Sequence, residues 1–394
     1  MIEGWRWYGN LDEIRLPEIA QTGARSIVTA LHSIPYGDIW PRDVIAARKA
    51  EVLKAGFDWT VVESLQVHEA IKRGEGDLGS LLANYRQSMA NMAAEGIKVI
   101  CYNFMPLLDW TRTDLRASVK GGGTCLRFSI HKMAAFELLM LERQGAEDEY
   151  SQSVIADAEV WFASASSEEK DELVTAIMAG LPGAFPRYDV AGLKAALKPY
   201  EHLDRNALRQ NFKRFLEEVI PTAEELGLKF AVHPDDPPRD LLGLPRIVTN
   251  EEDIRWILSA KDSLANGLTF CAGSLGANPA NDLPEIARKF ADRIHFAHLR
   301  NVRKDPDGSF EEAAHLGGDT DLTQIVDVLL NEERRRVAVE RLDSEIVFRP
   351  DHGHELLDDE NRGAHPGYPL IGRMRGLAEL RGVISGLEHR NTAA

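Results

Sequence analysis

The sequence predicts a (β/α)8 barrel, and three observations carry that prediction. Eight short apolar or alternating runs recur along the 394 residues. Helix-like stretches separate most of them, as a parallel sheet built from βαβ units requires. No glycine-rich phosphate fingerprint follows the first run, which removes the main reason to prefer an open nucleotide-binding sheet. A chain of this length, 44% hydrophobic, can build a large core without covalent staples, and residues 1–394 read as a single barrel domain.

The runs are WRWYG (5–9), SIVTAL (26–31), WTVVES (59–64), KVICYNF (98–104), LKFAVHP (228–234), LTFCAGS (268–274), RIHFAHLRN (293–301) and EIVFRPDHG (345–353). Several are β-branched and bounded by Gly, Pro or polar breaks, the pattern of strands buried on both faces. Helices are predicted over PRDVIAARKAEVLKAG after the second run and GSLLANYRQSMANMAAEG after the third. NALRQNFKRFLEEVIPTAEELG precedes the fifth run, LTQIVDVLLNEERRR precedes the eighth, and IGRMRGLAELRGVISGL reads as the closing helix.

Residues 117–205, after the fourth run, are far too long for a strand-to-helix connection and read as a helical insertion. Within it, SSEEKDELVTAIMAG opens with the capping-box residues Ser166 and Glu169. The pattern fits a lid, a dimer contact or a plain elaboration of the fold. The three glycines at 121–123 read as a hinge, since no Lys-Ser/Thr follows them to complete a phosphate cradle.

Composition excludes several partners. The formal net charge is −16 and no basic face is evident, which argues against nucleic acid and anionic membranes. No apolar stretch approaches the roughly 18–20 residues needed to span a bilayer. The opening MIEGWRWYG is acidic and aromatic rather than basic and then apolar, so a cytoplasmic protein is expected. Three widely spaced cysteines, Cys101, Cys125 and Cys271, are expected to be reduced thiols.

The chemistry concentrates at the ends of the last four runs. FAVHP closes with His233, LTFCAGS carries Cys271, RIHFAHLRN carries His298 and RPDHGH carries Asp351. In a parallel barrel all strands open on one face, so ligands on four consecutive tips can converge on one ion. The mixed set of thiolate, imidazoles and carboxylate suits zinc, iron or manganese. Four protein ligands on a catalytic ion imply five- or six-coordination, which favours manganese or ferrous iron.

Beside those ligands stand candidate working groups. His352 adjoins Asp351 and is placed for proton transfer, with His354 one step removed. Tyr368, in HPGYP, can fold over the barrel mouth. Tyr8, Glu63, Asn103 and Trp110 supply the hydrogen bonds and aromatic wall that a polyol pocket needs. Arg300, Asn301 and Arg349 suit a substrate carboxylate.

These blocks, with IPYGDIWP (34–41), VVESLQVHE (61–69) and CYNFMPLLDWTRTDL (101–115), resemble the metal-dependent mannonate dehydratases essentially end to end. The resemblance implies a barrel similar to that of xylose isomerase, a manganese or other divalent ion, and a homodimer. It implies conversion of D-mannonate to 2-keto-3-deoxy-D-gluconate and water in hexuronate catabolism. It places the metal on His233, Cys271, His298 and Asp351, and proton transfer on His352 and Tyr368. Tyr368 is expected as the base at C2, its pKa lowered by the ion, and His352 as the acid at the C3 hydroxyl, although the roles can be exchanged. A metal-dependent sugar isomerase or epimerase, and a non-catalytic sugar-acid binding protein, are the alternatives.

Overall fold

Eight parallel strands close into a barrel in the computed structural model, which describes residues 1–180 and 188–392. They are β1 (Ile2–Arg6), β2 (Ser26–Thr29), β3 (Asp58–Glu63), β4 (Val99–Tyr102), β5 (Lys229–Val232), β6 (Asn266–Cys271), β7 (Ile294–His298) and β8 (Val347–Arg349). Each pairs in parallel with its sequence neighbour, and β8 closes on β1. The first strand lies earlier than WRWYG suggested. Tyr8 therefore stands beyond the strand rather than at its end.

Alternation divides the strand residues between two cores. Val28, Val61, Cys101, Phe296 and Val347 fill the barrel interior. Trp5, Ile27, Trp59, Val62, Ile100, Phe230, Phe270 and Phe348 face the helical ring instead. The helix Arg205–Leu226 shows how that ring is built. Asp204 caps its start through the Ala207 N–H, seven apolar side chains from Leu208 to Ala223 are buried along it, and Gly227 ends it at a left-handed φ of 67°.

A second sheet, four-stranded and antiparallel, stands beside the barrel mouth in the order Asn301–Lys304, Phe310–Ala313, Thr124–Phe128, Asp114–Ser118. The segment expected to be a helical insertion therefore includes a β-hairpin at its start. The glycines at 121–123 are its turn rather than a hinge. All three have positive φ, and a Cβ on Gly123 would stand 2.3 Å from the Glu355 carbonyl oxygen. Helices follow at Ile130–Ala135, Gln152–Ser164, Ser167–Ile177 and Val190–Leu197. Ser166 and Glu169 form the capping box reciprocally, at 3.1 and 2.8 Å. These elements share a separate apolar cluster built on Phe128, Met133, Phe136, Leu173, Leu193 and Leu241.

Candidate active site

Strand register brings the ligand residues to one level. Cys271 pairs with His298, and His298 with Arg349, while His233 follows Val232, the partner of Tyr102. The donor atoms of His233, Cys271 and His298 lie within 4.8 Å of one another. Asp351 Oδ2 is 3.7 Å from Cys271 Sγ and 3.9 Å from His298 Nδ1. Three of the four predicted ligands thus cluster at the carboxyl end of the barrel, and Asp351, held at φ 62°, stands against two of them.

The tautomers indicate what this corner can hold. His233 Nδ1 donates to the Pro234 carbonyl at 2.6 Å, so its Nε2 carries the lone pair. His298 Nε2 lies 3.5 Å from Glu63 Oε2, and its Nδ1 lies 3.1 Å from His233 Nε2, close enough for both nitrogens to hold one ion. Burial lowers the pKa of His233 and keeps that imidazole neutral as a ligand must be. Ser274 Oγ donates to Cys271 Sγ at 3.1 Å. The residues present fit a divalent ion.

Around the ligands runs a buried row of alternating charge. Arg6 Nη1 lies 3.2 Å from Glu63, whose two oxygens accept from Arg349 at 2.9 and 2.7 Å. Arg349 reaches Asp351 Oδ1 at 2.5 Å, and Asp351 Oδ2 lies 3.0 Å from Arg300 Nε. Arg300 also binds Asp236 and Glu312, and Arg112 reaches both of those carboxylates, at 2.8 and 3.1 Å. Burial would raise the carboxylate pKa values, but the guanidinium groups win. Glu63, Asp236 and Asp351 are all held well below the usual range, and Glu312 falls to about 2.

A narrow cavity opens beside this row, lined by Glu63, Asn103, Met105, Asp109, Trp110, His233, Asp236, Arg349, Asp351, His352 and Tyr368. Both predicted proton-transfer residues border it, with ring centroids 4.9 Å apart and nearly perpendicular. His352 Nδ1 lies 2.9 Å from Glu312 Oε1. Tyr368 is buried, and burial pushes its pKa up to about 12 although Arg349 opposes this.

The family-level comparison decides between the rivals. Residues 1–393 match the family D-mannonate dehydratase (UxuA). The chain belongs to the mannonate dehydratase family. Mannonate dehydratase of Chromohalobacter salexigens is 51% identical over 381 residues, covering 96% of this chain and 97% of that protein. The Marinomonas sp. mannonate dehydratase is 48% identical over 385 residues, 98% of each chain. Among solved structures, mannonate dehydratase from Streptococcus suis serotype 2 superposes with TM-score 0.77 at 33% identity, covering 100% of this chain and 95% of that one. A xylose isomerase-like TIM barrel protein from Mycobacterium smegmatis, at TM-score 0.51 and 13% identity, shares the fold.

In this mannonate dehydratase family member, three predicted substrate residues do not line the cavity. Tyr8 packs behind Tyr368, with ring centroids 5.3 Å apart. Arg300 is committed to Asp236 and Glu312, with Asp351 beside it. Asn301 makes four hydrogen bonds of its own, to the His315 and Thr320 carbonyls and from the Val302 and Thr320 amides. Arg349 lines the cavity with its guanidinium already gripped by two carboxylates. His354 donates to the Glu312 carbonyl at 2.9 Å. Sequence reading missed Arg112, Asp236 and Glu312. Asp236 was signalled by its place in FAVHPDDPP, three residues after His233, whereas nothing marked Glu312 among the acidic residues of its strand.

Proposed function

We infer that the protein is a hydro-lyase that removes water from D-mannonate to give 2-keto-3-deoxy-D-gluconate, a step of hexuronate catabolism. The observation that carries this reading is a cavity bordered by His352 and Tyr368 that also reaches His233, one of three clustered donors with Cys271 and His298, and Asp351, which stands against the other two. His233, Cys271, His298 and Asp351 would hold a divalent ion, manganese or ferrous iron by donor chemistry. When bound, it supplies electrostatic stabilisation of negative charge developing on the substrate oxygens.

The remaining work falls to side chains. The C2–H bond must break, its electron pair forming the C2–C3 double bond as the C3 hydroxyl leaves with a proton. The enol then ketonises at C2 and takes a proton at C3. His352 Nε2 is placed to take the C2 proton, because Glu312 at Nδ1 supports the imidazolium that results. Tyr368, which borders the same cavity, is then the proton donor to the leaving hydroxyl. This exchanges the roles expected from sequence. Asn103 and Trp110 supply a polar contact and a wall for the polyol chain.

The family resemblance supports a homodimer. The three free, buried cysteines support a reducing, cytoplasmic setting; among the described residues no helix is long and apolar enough to cross a membrane. A turnover assay across hexonates, with manganese or ferrous iron and with chelator, tests the reading. D-mannonate is expected to yield a 2-keto-3-deoxy acid only with metal, and His352→Asn and Tyr368→Phe to lose at least about 100-fold in kcat. Near-normal turnover by both metal-loaded variants refutes the proton-transfer assignment.

A further inference from the structure

We propose that Glu312 is the positioning residue of His352, and that the antiparallel sheet carrying it is part of the proton-transfer apparatus. The proposal rests on the reading of His352 as a proton-transfer group.

Glu312 lies on Phe310–Ala313, outside the barrel, and is 3% exposed. Two imidazoles of RPDHGH fasten it. His352 Nδ1 meets its carboxylate at 2.9 Å, and His354 Nε2 donates to its backbone carbonyl, also at 2.9 Å. The strand is held in turn from its other edge, where Phe310 and Glu311 pair with Phe128 and Arg127 and the Phe310 and Phe128 rings stack at 5.5 Å. Thr124 exchanges backbone hydrogen bonds with Glu355, one residue beyond the motif. The hairpin that begins the long connection after β4 therefore braces the carboxylate against the loop that carries His352.

His352 Nδ1 has a second neighbour, Arg300 Nη1, at 2.6 Å. A guanidinium only donates and a carboxylate only accepts, so the two favour opposite tautomers. Arg300 alone would draw the Nδ1 lone pair and leave the proton on Nε2, the form that cannot take a proton from C2. Glu312 holds the proton on Nδ1 and leaves the Nε2 lone pair to the cavity. Arg300 Nη1 also donates to Glu312 Oε1, so this nitrogen has the carboxylate as its acceptor and the Nδ1 lone pair is not needed to satisfy it. Glu312 thus selects the reactive nitrogen without touching substrate.

The test compares Glu312→Gln, Glu312→Ala and His352→Asn as manganese-loaded full-length enzyme. Glu312→Gln is expected to keep its metal content and its KM for D-mannonate within about threefold while kcat falls at least about 100-fold. Formate is expected to restore Glu312→Ala by at least about tenfold, and chloride at equal ionic strength to restore nothing. Near-normal kcat in Glu312→Gln beside an inactive His352→Asn overturns the role of Glu312 and leaves that of His352 standing. Near-normal kcat in His352→Asn overturns the reading beneath it. Loss of metal or fold in both Glu312 variants with no rescue by formate assigns Glu312 a purely structural role and also overturns the proposal.

Discussion

The two oxygens of Glu63 each accept a hydrogen bond from Arg349, Nε to Oε2 at 2.9 Å and Nη2 to Oε1 at 2.7 Å. The same carboxylate lies 3.5 Å from His298 Nε2 on the far side of the ligand set. Glu63, which also lines the cavity, therefore joins a buried cation to an imidazole proposed to hold the metal.

Replacing Glu63 with Gln is expected to cost about 3–5 kcal/mol of stability, since it leaves the buried Arg349 and Arg6 short of a counter-charge. Metal affinity should fall about 10–100-fold, because His298 loses the carboxylate that orients it. Urea unfolding of the metal-free protein and chelator competition measure the two effects separately. Undiminished metal affinity in a destabilised variant would show that His298 does not depend on Glu63.

Asn301 offers a contrast, having been expected at the substrate carboxylate. Its amide instead ties the Val302 amide and the His315 and Thr320 backbone together from a position 1% exposed. Asn301→Ala should lower stability by about 1–3 kcal/mol through buried groups left unpaired, with KM for D-mannonate unchanged. A raised KM at unchanged melting temperature would return Asn301 to the substrate.

A third expectation concerns the opposite end of the barrel. Asp343 accepts from Arg341 at 2.5 and 3.0 Å and lies 3.7 Å from Lys229 at the start of β5. Burial opposes its ionisation, but these cations bring its pKa down to about 2, from an ordinary 3.8. A folded-state pKa below the unfolded one gives stability that is present above pH 4 and lost as pH falls through about 2. Asp343→Asn should therefore be less stable than wild type at pH 6, with the gap closing between pH 4 and 2 in denaturant titrations. A gap constant across that range would disprove the linkage.

The barrel was legible because its strands are apolar, β-branched and punctuated, and because eight of them alternate with amphipathic helices. The convergence of His233, Cys271 and His298 was legible for the same reason: strand tips are fixed points once the strands are found. The antiparallel sheet was not. Its strands DLRAS, TCLRF, NVRK and FEEA are short and charged, and two of them pair with partners far away in sequence. Glu312 could not be recognised before that pairing was known. The arginines misled in a different way. Arg300 and Arg349 stand beside the site as expected, but carboxylates distant in sequence already occupy them, and a guanidinium in a motif does not reveal its counter-ion.

The row of alternating charge has a consequence for how its residues can be replaced. Arg6, Arg112, Arg300 and Arg349 face Glu63, Asp236, Glu312 and Asp351, four cations against four anions, all buried. The frame is electrically neutral by itself. Removing the charge of any one member leaves a buried neighbour of opposite sign uncompensated, so the row can change by paired replacement far more readily than one residue at a time.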